Sequence, residues 1–184
     1  GAVHQGLVAV CRLPAVLSDK EMFSMIERVK DPVVLILDQV QDPHNLGACL
    51  RTANAMGACC VIIPKNRAVG MTSVVEKVAC GATVMTPLVS VTNLSRCLKR
   101  LKELGLWLVG LTMDASQLLD DVDLKGPVGI LMGGEGRGLR ELTVKSCDYL
   151  AKIQMCGSVS SMNVSVATGM ALYEVARQRR LVAP

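Results

Sequence analysis

Short apolar runs alternate with helix-like segments from residue 33 to the end of the chain, and this rhythm restricts the possible folds more than any other feature. Strands are predicted at 33–37, 59–63, 87–91, 106–111, 128–132 and 149–154, and helices at 46–56, 72–80, 93–104, about 139–145 and 163–179. Strands that alternate with helices form a mainly parallel sheet covered on both faces. The sequence therefore predicts an α/β domain.

Ahead of this rhythm, the tetrapeptide Ser18-Asp19-Lys20-Glu21 has the pattern of a capping box. In a capping box the first hydroxyl and the fourth carboxylate each bond a free backbone N–H, so a helix is predicted from here to about residue 29. Asp31-Pro32 then ends it, because the residue before a proline is biased away from helical backbone.

Composition excludes several classes of protein. Hydrophobic residues make up 51% of the 184-residue chain and charged residues 20%, which favours a folded domain over disorder. The apolar runs are too short to cross a bilayer, and no secretory signal opens the chain. The eight cysteines form no C-x-x-C pair, and the only histidines are His4 and His44, so no metal site is expected. We expect a cytoplasmic protein with mostly buried, reduced thiols.

The net charge of +4 is modest, but basic residues cluster in two predicted helices. These clusters are Arg96, Lys99, Arg100 and Lys102, and Arg177, Arg179 and Arg180. Each is compatible with an ordinary solvated helix face. Aromatic residues are scarce at 2%, so contact with nucleic acid would depend on backbone charge and shape rather than on base stacking.

In parallel sheets, ligands bind where the carboxyl ends of strands meet their loops. The loop after the first strand ends at Asn45, which is suited either to capping the next helix or to contacting a ligand. That helix carries Arg51 among small and apolar residues, so the charge is expected to need a partner or a ligand. A planar guanidinium suits a phosphate or a developing oxyanion.

Two later loops also carry unusual residues. Residues 133–138 read Gly-Gly-Glu-Gly-Arg-Gly, which is neither a dinucleotide fingerprint nor a Walker sequence. Glu135 at its centre would repel a pyrophosphate, whereas a ligand with hydroxyls, amines or positive charge, such as S-adenosylmethionine, is compatible with it. Residues 157–163 are rich in hydroxyls, include Ser161 and end at Asn163 at a predicted helix start, which offers more hydrogen bonds than one cap needs.

Three blocks resemble the SpoU group of the SPOUT (trefoil-knot) methyltransferases, and the resemblance covers residues 33–180. The blocks are Asp42-Pro43-His44-Asn45-Leu46-Gly47-Ala48 with Arg51-Thr52-Ala53, then Gly133-Gly134-Glu135-Gly136, then Ser160-Ser161-Met162-Asn163-Val164-Ser165-Val166-Ala167. The resemblance implies a C-terminal trefoil knot, a homodimer, and S-adenosylmethionine as cofactor.

The resemblance also implies the site residues. The implied catalytic group is Asn45, Arg51, Glu135, Ser161 and Asn163, and the implied cofactor contacts are backbone groups of Gly133, Ile153 and Met162. The SpoU group usually has leucine where this chain has Met162. Both residues are apolar, and both keep the backbone N–H that would contact the cofactor. Arg51 is implied as the activating residue. Because arginine stays protonated in proteins, we expect it to stabilise the alkoxide or clamp a phosphate, and action as a base is the less favoured alternative. Asn45 and Glu135 are expected to orient Arg51 and the target, and Ser161 and Asn163 to fix the nucleotide.

The implied activity is transfer of a methyl group from S-adenosylmethionine to a ribose 2′-hydroxyl in ribosomal RNA, with guanosine as the expected nucleotide. The alternatives are a transfer-RNA ribose methyltransferase of the same family and a non-catalytic RNA-binding relative. A dinucleotide-dependent oxidoreductase would need fingerprint glycines after the first strand, and these are absent. The expected organisation is a linker and short helix at 1–30, following an RNA-binding domain absent from this sequence, and the catalytic domain at 31–184.

Overall fold

The strands are apolar on both sides because helices cover both faces of their sheet. The computed structural model describes residues 17–180. In chain order the strands are β1 (Val33–Asp38), β2 (Cys60–Pro64), β3 (Leu88–Val91), β4 (Trp107–Leu111), β5 (Gln117–Leu118), β6 (Val128–Gly133) and β7 (Tyr149–Lys152). They form one seven-stranded parallel sheet in the order β3-β2-β1-β6-β4-β7-β5. The prediction of a mainly parallel α/β fold is confirmed.

The helices also follow the predicted rhythm. They are α1 (Asp19–Ile26), α2 (Pro43–Ala55), α3 (Ser73–Ala79), α4 (Leu94–Glu103), α5 (Glu141–Val144) and α6 (Val164–Arg180), with 3-10 turns at Ala82–Val84 and Leu119–Asp121. Ser18 forms the predicted capping box with Glu21. The sequence missed the short strand β5, which has only two residues and no apolar alternation. The trefoil knot stays a prediction.

The start of α2 corrects one expectation. Asp42, not Asn45, is the N-cap: its carboxylate accepts the backbone N–H of His44 at 2.9 Å, and Pro43 occupies the first helical turn. Proline is favoured there because its missing N–H would have no helical partner anyway. The helix therefore begins three residues before the predicted start, and the side chain of Asn45 is free for other contacts.

Side chains that alternate along the strands divide the core into two layers. In β1, Val33, Leu35 and Leu37 pack toward α2, α3 and α6, whereas Val34 and Ile36 pack toward α1 and α4. This is the two-residue period of a strand with both faces buried. The two faces of the sheet therefore carry different helices, and α2 and α4 lie on opposite sides.

The helices α2 and α3 pack closely at Gly47. A Cβ placed on this glycine would lie 2.7 Å from the Cβ of Val78 and 2.8 Å from the carbonyl oxygen of Val75. No side chain fits in that space, so the glycine is required by the contact. Since Asn45 and Arg51 lie on either side of Gly47 in α2, this packing also fixes their helix against α3.

Most cysteines serve as small apolar residues, as predicted. Of the seven in the described part of the chain, five are buried or half-buried, and only Cys80 and Cys156 are exposed; Cys11 lies outside the described residues. Burial raises the pKa of the Cys49 thiol to about 11 and that of Cys97 to about 12. Thiols in such surroundings stay protonated and unreactive at neutral pH.

Two classes of feature are not found between residues 17 and 180. No helix there has the length and apolar character needed to span a membrane. No three His, Cys, Asp or Glu side chains in that range group as metal ligands.

A buried carboxylate ends β1. Asp38 is fully buried, and its Oδ2 accepts the Thr143 hydroxyl at 2.7 Å and the Arg140 backbone N–H at 3.2 Å. Its Oδ1 lies 2.7 Å from a guanidinium nitrogen of Arg140. These bonds attach the start of α5, and with it the end of the 133–138 loop, to the central strand.

We expect Asp38→Ala to destabilise the fold by about 3–5 kcal/mol, because the partly buried Arg140 guanidinium and the Thr143 hydroxyl would lose their acceptor. Glu141→Ala is the matched control. Its pair with Lys145 is exposed and should contribute about 1 kcal/mol or less. Urea unfolding of both variants measures the difference, and equal losses would contradict the role given to Asp38.

Candidate active site

The candidate site lies where the sheet order changes direction. From β1 the sheet continues to β2 and β3 on one side, and β6 lies on the other side. The last residues of the two central strands, Asp38 and Gly133, are register partners. Such a switch point leaves a crevice at the carboxyl ends of the strands, and ligands bind there in parallel α/β sheets.

The 133–138 loop is folded tightly against the loop that follows β1. The Gly138 backbone N–H donates to the Gly134 carbonyl at 3.0 Å. A Cβ on Gly133 would lie 2.1 Å from the Gly138 carbonyl carbon, and one on Gly134 would lie 2.4 Å from the Gln39 carbonyl oxygen. The first two glycines are therefore required by contacts within the protein, and these contacts fix the backbone that carries Glu135.

Three side chains from the three loops meet in one hydrogen-bonded group. The Asn45 amide donates to Oε1 of Glu135 at 2.5 Å. The Asn163 amide donates to the same oxygen at 3.2 Å and to the Asn45 side-chain carbonyl at 3.0 Å. These hydrogen bonds join Asn45 directly to residues that follow it by 90 and 118 positions in the chain. We refer to Asn45, Glu135 and Asn163 as the amide–carboxylate group.

A helix cap determines the orientation of the Asn163 amide. Its side-chain oxygen accepts the Ser165 backbone N–H at 2.8 Å and the Ser165 hydroxyl at 2.6 Å. The backbone carbonyl of Asn163 also accepts the Ala167 N–H at 3.0 Å, so this residue caps the start of α6. Because the oxygen is occupied by the cap, the NH₂ must point toward Asn45 and Glu135. The prediction that Asn163 does more than cap a helix agrees with this geometry.

The charge of the amide–carboxylate group restricts its ligands. Asn45 is nearly buried, whereas Glu135 lies in an exposed loop. Within residues 17–180, Oε2 of Glu135 accepts no hydrogen bond, and no lysine or arginine pairs with the carboxylate. The group has one negative charge and a free acceptor. It therefore suits a ligand that is positively charged or donates hydroxyl or amine hydrogens, and it disfavours a phosphate.

Arg51 is held outside this group. It is exposed on α2, and one guanidinium nitrogen donates to the Cys80 thiol sulfur at 3.5 Å. Cys80 ends α3 in left-handed backbone (φ 52°). The expectation that Asn45 and Glu135 orient Arg51 is wrong for this structure: Arg51 lies six residues beyond Asn45, about 9 Å along the helix axis, and forms no hydrogen bond to either residue.

The remaining predicted site residues occupy the same end of the sheet. Gly133 ends β6, and Ile153 follows β7, half-buried against the core layer of α2 and α6. Ser161 is exposed and Met162 is half-buried immediately before Asn163. Ser161 forms no hydrogen bond to any residue in the 17–180 range. The structure thus joins three of the five predicted catalytic residues directly and leaves Arg51 and Ser161 free of that group.

Sequence reasoning missed two contributors. Asp38 could have been found, because a carboxylate that ends an otherwise apolar strand must have buried partners. Cys80 carried no such signal, since a cysteine in an apolar helix is ordinarily core. Its contact with Arg51 depends on how α2 and α3 pack.

Comparison with known proteins agrees with this geometry. The model of the SpoU rRNA Methylase family matches residues 32–173. The chain belongs to this family.

Two curated relatives are close in sequence. The chain is 53% identical, over 98% of its length and 73% of the relative, to the 23S rRNA (guanosine-2′-O-)-methyltransferase RlmB of Coxiella burnetii. It is 52% identical, over 97% of its length and 73% of the relative, to the protein of the same name from Pseudomonas putida. The chain thus spans about three quarters of each relative.

A solved structure gives the same fold. The SpoU methyltransferase AviRb from Streptomyces viridochromogenes, in complex with the cofactor AdoMet, superposes with a TM-score of 0.80 at 27% identity. The match covers 86% of this chain and 64% of AviRb, so the present chain spans less than two thirds of that protein.

Proposed function

We propose that this protein transfers a methyl group from S-adenosylmethionine to the ribose 2′-hydroxyl of a guanosine in 23S ribosomal RNA. The observation that carries the proposal is the amide–carboxylate group, which joins the three family loops at the switch point of the sheet. The two curated relatives at 53% and 52% identity are named for this reaction. A cytoplasmic location, and an RNA-binding domain ahead of a catalytic domain at 31–184, belong to the same proposal.

The described residues fit S-adenosylmethionine chemically. When bound, it supplies a methyl group attached to a positively charged sulfur. Glu135 offers a negative charge and a free carboxylate oxygen at the crevice, while Ile153 and Met162 offer half-buried apolar surface beside it. Backbone groups of Gly133, Ile153 and Met162 are the proposed contacts. Support also comes from AviRb, whose structure holds AdoMet.

In the proposed mechanism Arg51 acts on the RNA. Its guanidinium stays protonated, so it stabilises negative charge on the ribose oxygen, or clamps the neighbouring phosphate, rather than removing the proton. Its single hydrogen bond among residues 17–180 is to the weak acceptor Cys80. An anionic RNA oxygen is a stronger acceptor than this thiol. The exposed Arg51 side chain is therefore expected to exchange its contact with Cys80 for one with bound RNA.

Asn45, Glu135 and Asn163 act as one rigid unit in this mechanism. They hold the three loops in a fixed arrangement, so that the crevice is formed before substrate binds. The Ser161 hydroxyl, two residues before Asn163, is exposed and forms no hydrogen bond within residues 17–180, and it is the proposed contact to the nucleotide.

The transfer-RNA alternative has less support, because the relatives near 50% identity act by name on 23S ribosomal RNA. A non-catalytic relative would be expected to have lost members of the site. All five proposed catalytic residues are present in this chain.

The test is to map ribose methylation in 23S ribosomal RNA from a bacterial strain that lacks the gene, with and without the wild-type gene restored. We expect one guanosine 2′-O-methyl group to be lost and then regained. A complete set of ribosomal methyl groups in the deletion strain, with one lost from transfer RNA, would contradict the assignment.

Arg51→Ala should fail to restore that methyl group, and the purified variant should lose nearly all turnover while its Kd for S-adenosylmethionine stays within a few-fold. Arg51→Lys should rescue little, since a point charge does not replace a planar fork. Arg96→Ala, which removes an exposed arginine from α4, is the control and should be active. Wild-type turnover in Arg51→Ala would exclude its proposed role.

We also propose that the protein is a homodimer through α6. This helix exposes an apolar stripe of Val166 (53%), Met170 (43%) and Tyr173 (51%). The stripe lines a groove of about 550 Å³ together with Ile153, so the surface is continuous with the proposed cofactor contacts. Gly169 lies within the stripe, and a Cβ there would meet only a Thr52 methyl at 3.7 Å. The space beside this glycine is therefore not filled by tightly packed side chains of the described residues.

Met170→Glu should convert the dimer to a monomer at micromolar concentration, because it places a charge in the apolar stripe. Met113→Glu is the matched control, since Met113 is equally exposed (45%) but lies between β4 and β5. Sedimentation velocity measures both variants. A monomeric wild type, or a dimer that survives Met170→Glu unchanged, would contradict this interface.

A further inference from the structure

The loop that follows β2 is fixed by a backbone hydrogen bond at each end, and one of the two joins it to the candidate site. At its start, the Lys65 N–H donates to the Val91 carbonyl at 2.8 Å, at the end of the neighbouring strand. At its end, the Val69 N–H donates to the Val40 carbonyl at 3.0 Å, in the loop that leads to Asn45. Residues 65–67 between these bonds read Lys-Asn-Arg, and all three are exposed. We refer to them as the basic loop.

The backbone of the basic loop is held in an unfavourable conformation. Arg67 has a φ of 65°, which is left-handed. A residue with a Cβ rarely adopts this region, and when a non-glycine residue does so the surrounding structure must hold it there. Strained positions of this kind occur often at ligand clamps. Here the conformation fixes an exposed arginine at the carboxyl edge of the sheet, beside the candidate site.

The side chains of Lys65 and Arg67 have no partner among the described residues, in contrast to the arginines of the α6 cluster. In α6, Arg177 is paired with Glu174 at 2.7 Å, Arg179 donates to two backbone carbonyls, and Arg180 lies over the Tyr173 ring. Within residues 17–180, Lys65 and Arg67 form no ion pair and donate no side-chain hydrogen bond.

Glu76 in α3 and Asp42 ahead of α2, two acidic side chains of neighbouring segments, both have partners. Glu76 of α3 accepts the Thr83 hydroxyl at 2.7 Å. Asp42 caps α2 and lies near His44. Neither is paired with the basic loop, so two cations remain available next to the site.

We propose that the basic loop binds phosphates of the RNA strand that flanks the target nucleotide. This rests on the proposed function, because it assumes that RNA approaches the crevice. Single-stranded RNA has a charged backbone close to any splayed-out nucleotide, and the scarcity of aromatic residues leaves phosphate contacts as the main source of affinity. Two cations on a loop fixed to both β3 and the Asn45 loop would hold that strand in register.

The experiment compares two double variants that each remove two positive charges, one variant from the basic loop and the other from α4. Lys65→Ala with Arg67→Ala removes the basic loop cations. Arg96→Ala with Lys99→Ala removes two exposed cations of α4, which form no ion pair among residues 17–180. The probe is 23S ribosomal RNA from a strain that lacks the gene, and the measurements are the RNA Kd at several salt concentrations, KM and kcat.

The basic loop variant should raise the RNA Kd and KM severalfold, and it should lower the slope of log Kd against log salt by roughly 1.4, the value for two contacts to a single strand. Its kcat at saturating RNA and its Kd for S-adenosylmethionine should stay within twofold of wild type. The α4 variant should leave all four quantities near wild type. Equal effects from the two variants, or an unchanged salt slope in the basic loop variant, would overturn the proposal.

Arg67→Gly separates charge from backbone conformation, because glycine keeps the left-handed backbone without strain. It should weaken RNA binding as much as Arg67→Ala, and Arg67→Lys should retain most of the affinity. Wild-type binding by Arg67→Gly would overturn the role of the guanidinium. If the wild-type protein binds this RNA through the loop but methylates none of it, the proposed function fails while this inference stands.

Discussion

One oxygen atom of Glu135 connects the three loops on which the candidate site depends. It accepts hydrogen bonds from Asn45 at the start of α2 and from Asn163 at the start of α6, and the two amides also bond each other. With only two of these hydrogen bonds, one pair of loops would not be joined directly. The three mutual hydrogen bonds join every pair of the three loops. Since Asn45 is buried (7% exposed), its amide would be poorly solvated after losing a partner, which makes its contacts costly to break.

The rest of the fold brings these side chains to the same place. Parallel pairing of β1 with β6 puts the first two loops side by side, and buried Asp38 attaches the far end of the glycine loop to β1 through Arg140. Gly133 and Gly134 permit the backbone contacts that position Glu135. The amide–carboxylate group therefore depends on the strand order and on close backbone packing. The two glycines of the second family motif are the residues that allow this packing.

The α/β architecture and the three loops were predictable because they depend on local patterns: apolar runs of strand length, glycine clusters and helix starts. The direction of the Arg51 side chain was not predictable from the sequence. Its neighbours on α2 are small and apolar, and they favour neither the crevice nor Cys80 as its contact. The choice depends on how α2 packs against α3 at Gly47. The cap of α2 was misplaced because Asp42 and Asn45 are both good capping residues, and only Pro43 distinguishes them.

The most direct test of this account is a double-mutant cycle on Glu135→Ala and Asn163→Ser. Serine keeps a capping oxygen for α6 but removes the amide that bridges to Glu135 and Asn45. The quantity to measure is the Kd for S-adenosylmethionine of the wild type, both single variants and the double variant. If the three loops act as one unit, the double variant should be little worse than the poorer single variant, with a coupling energy of at least about 0.5 kcal/mol. Strictly additive losses would contradict the account.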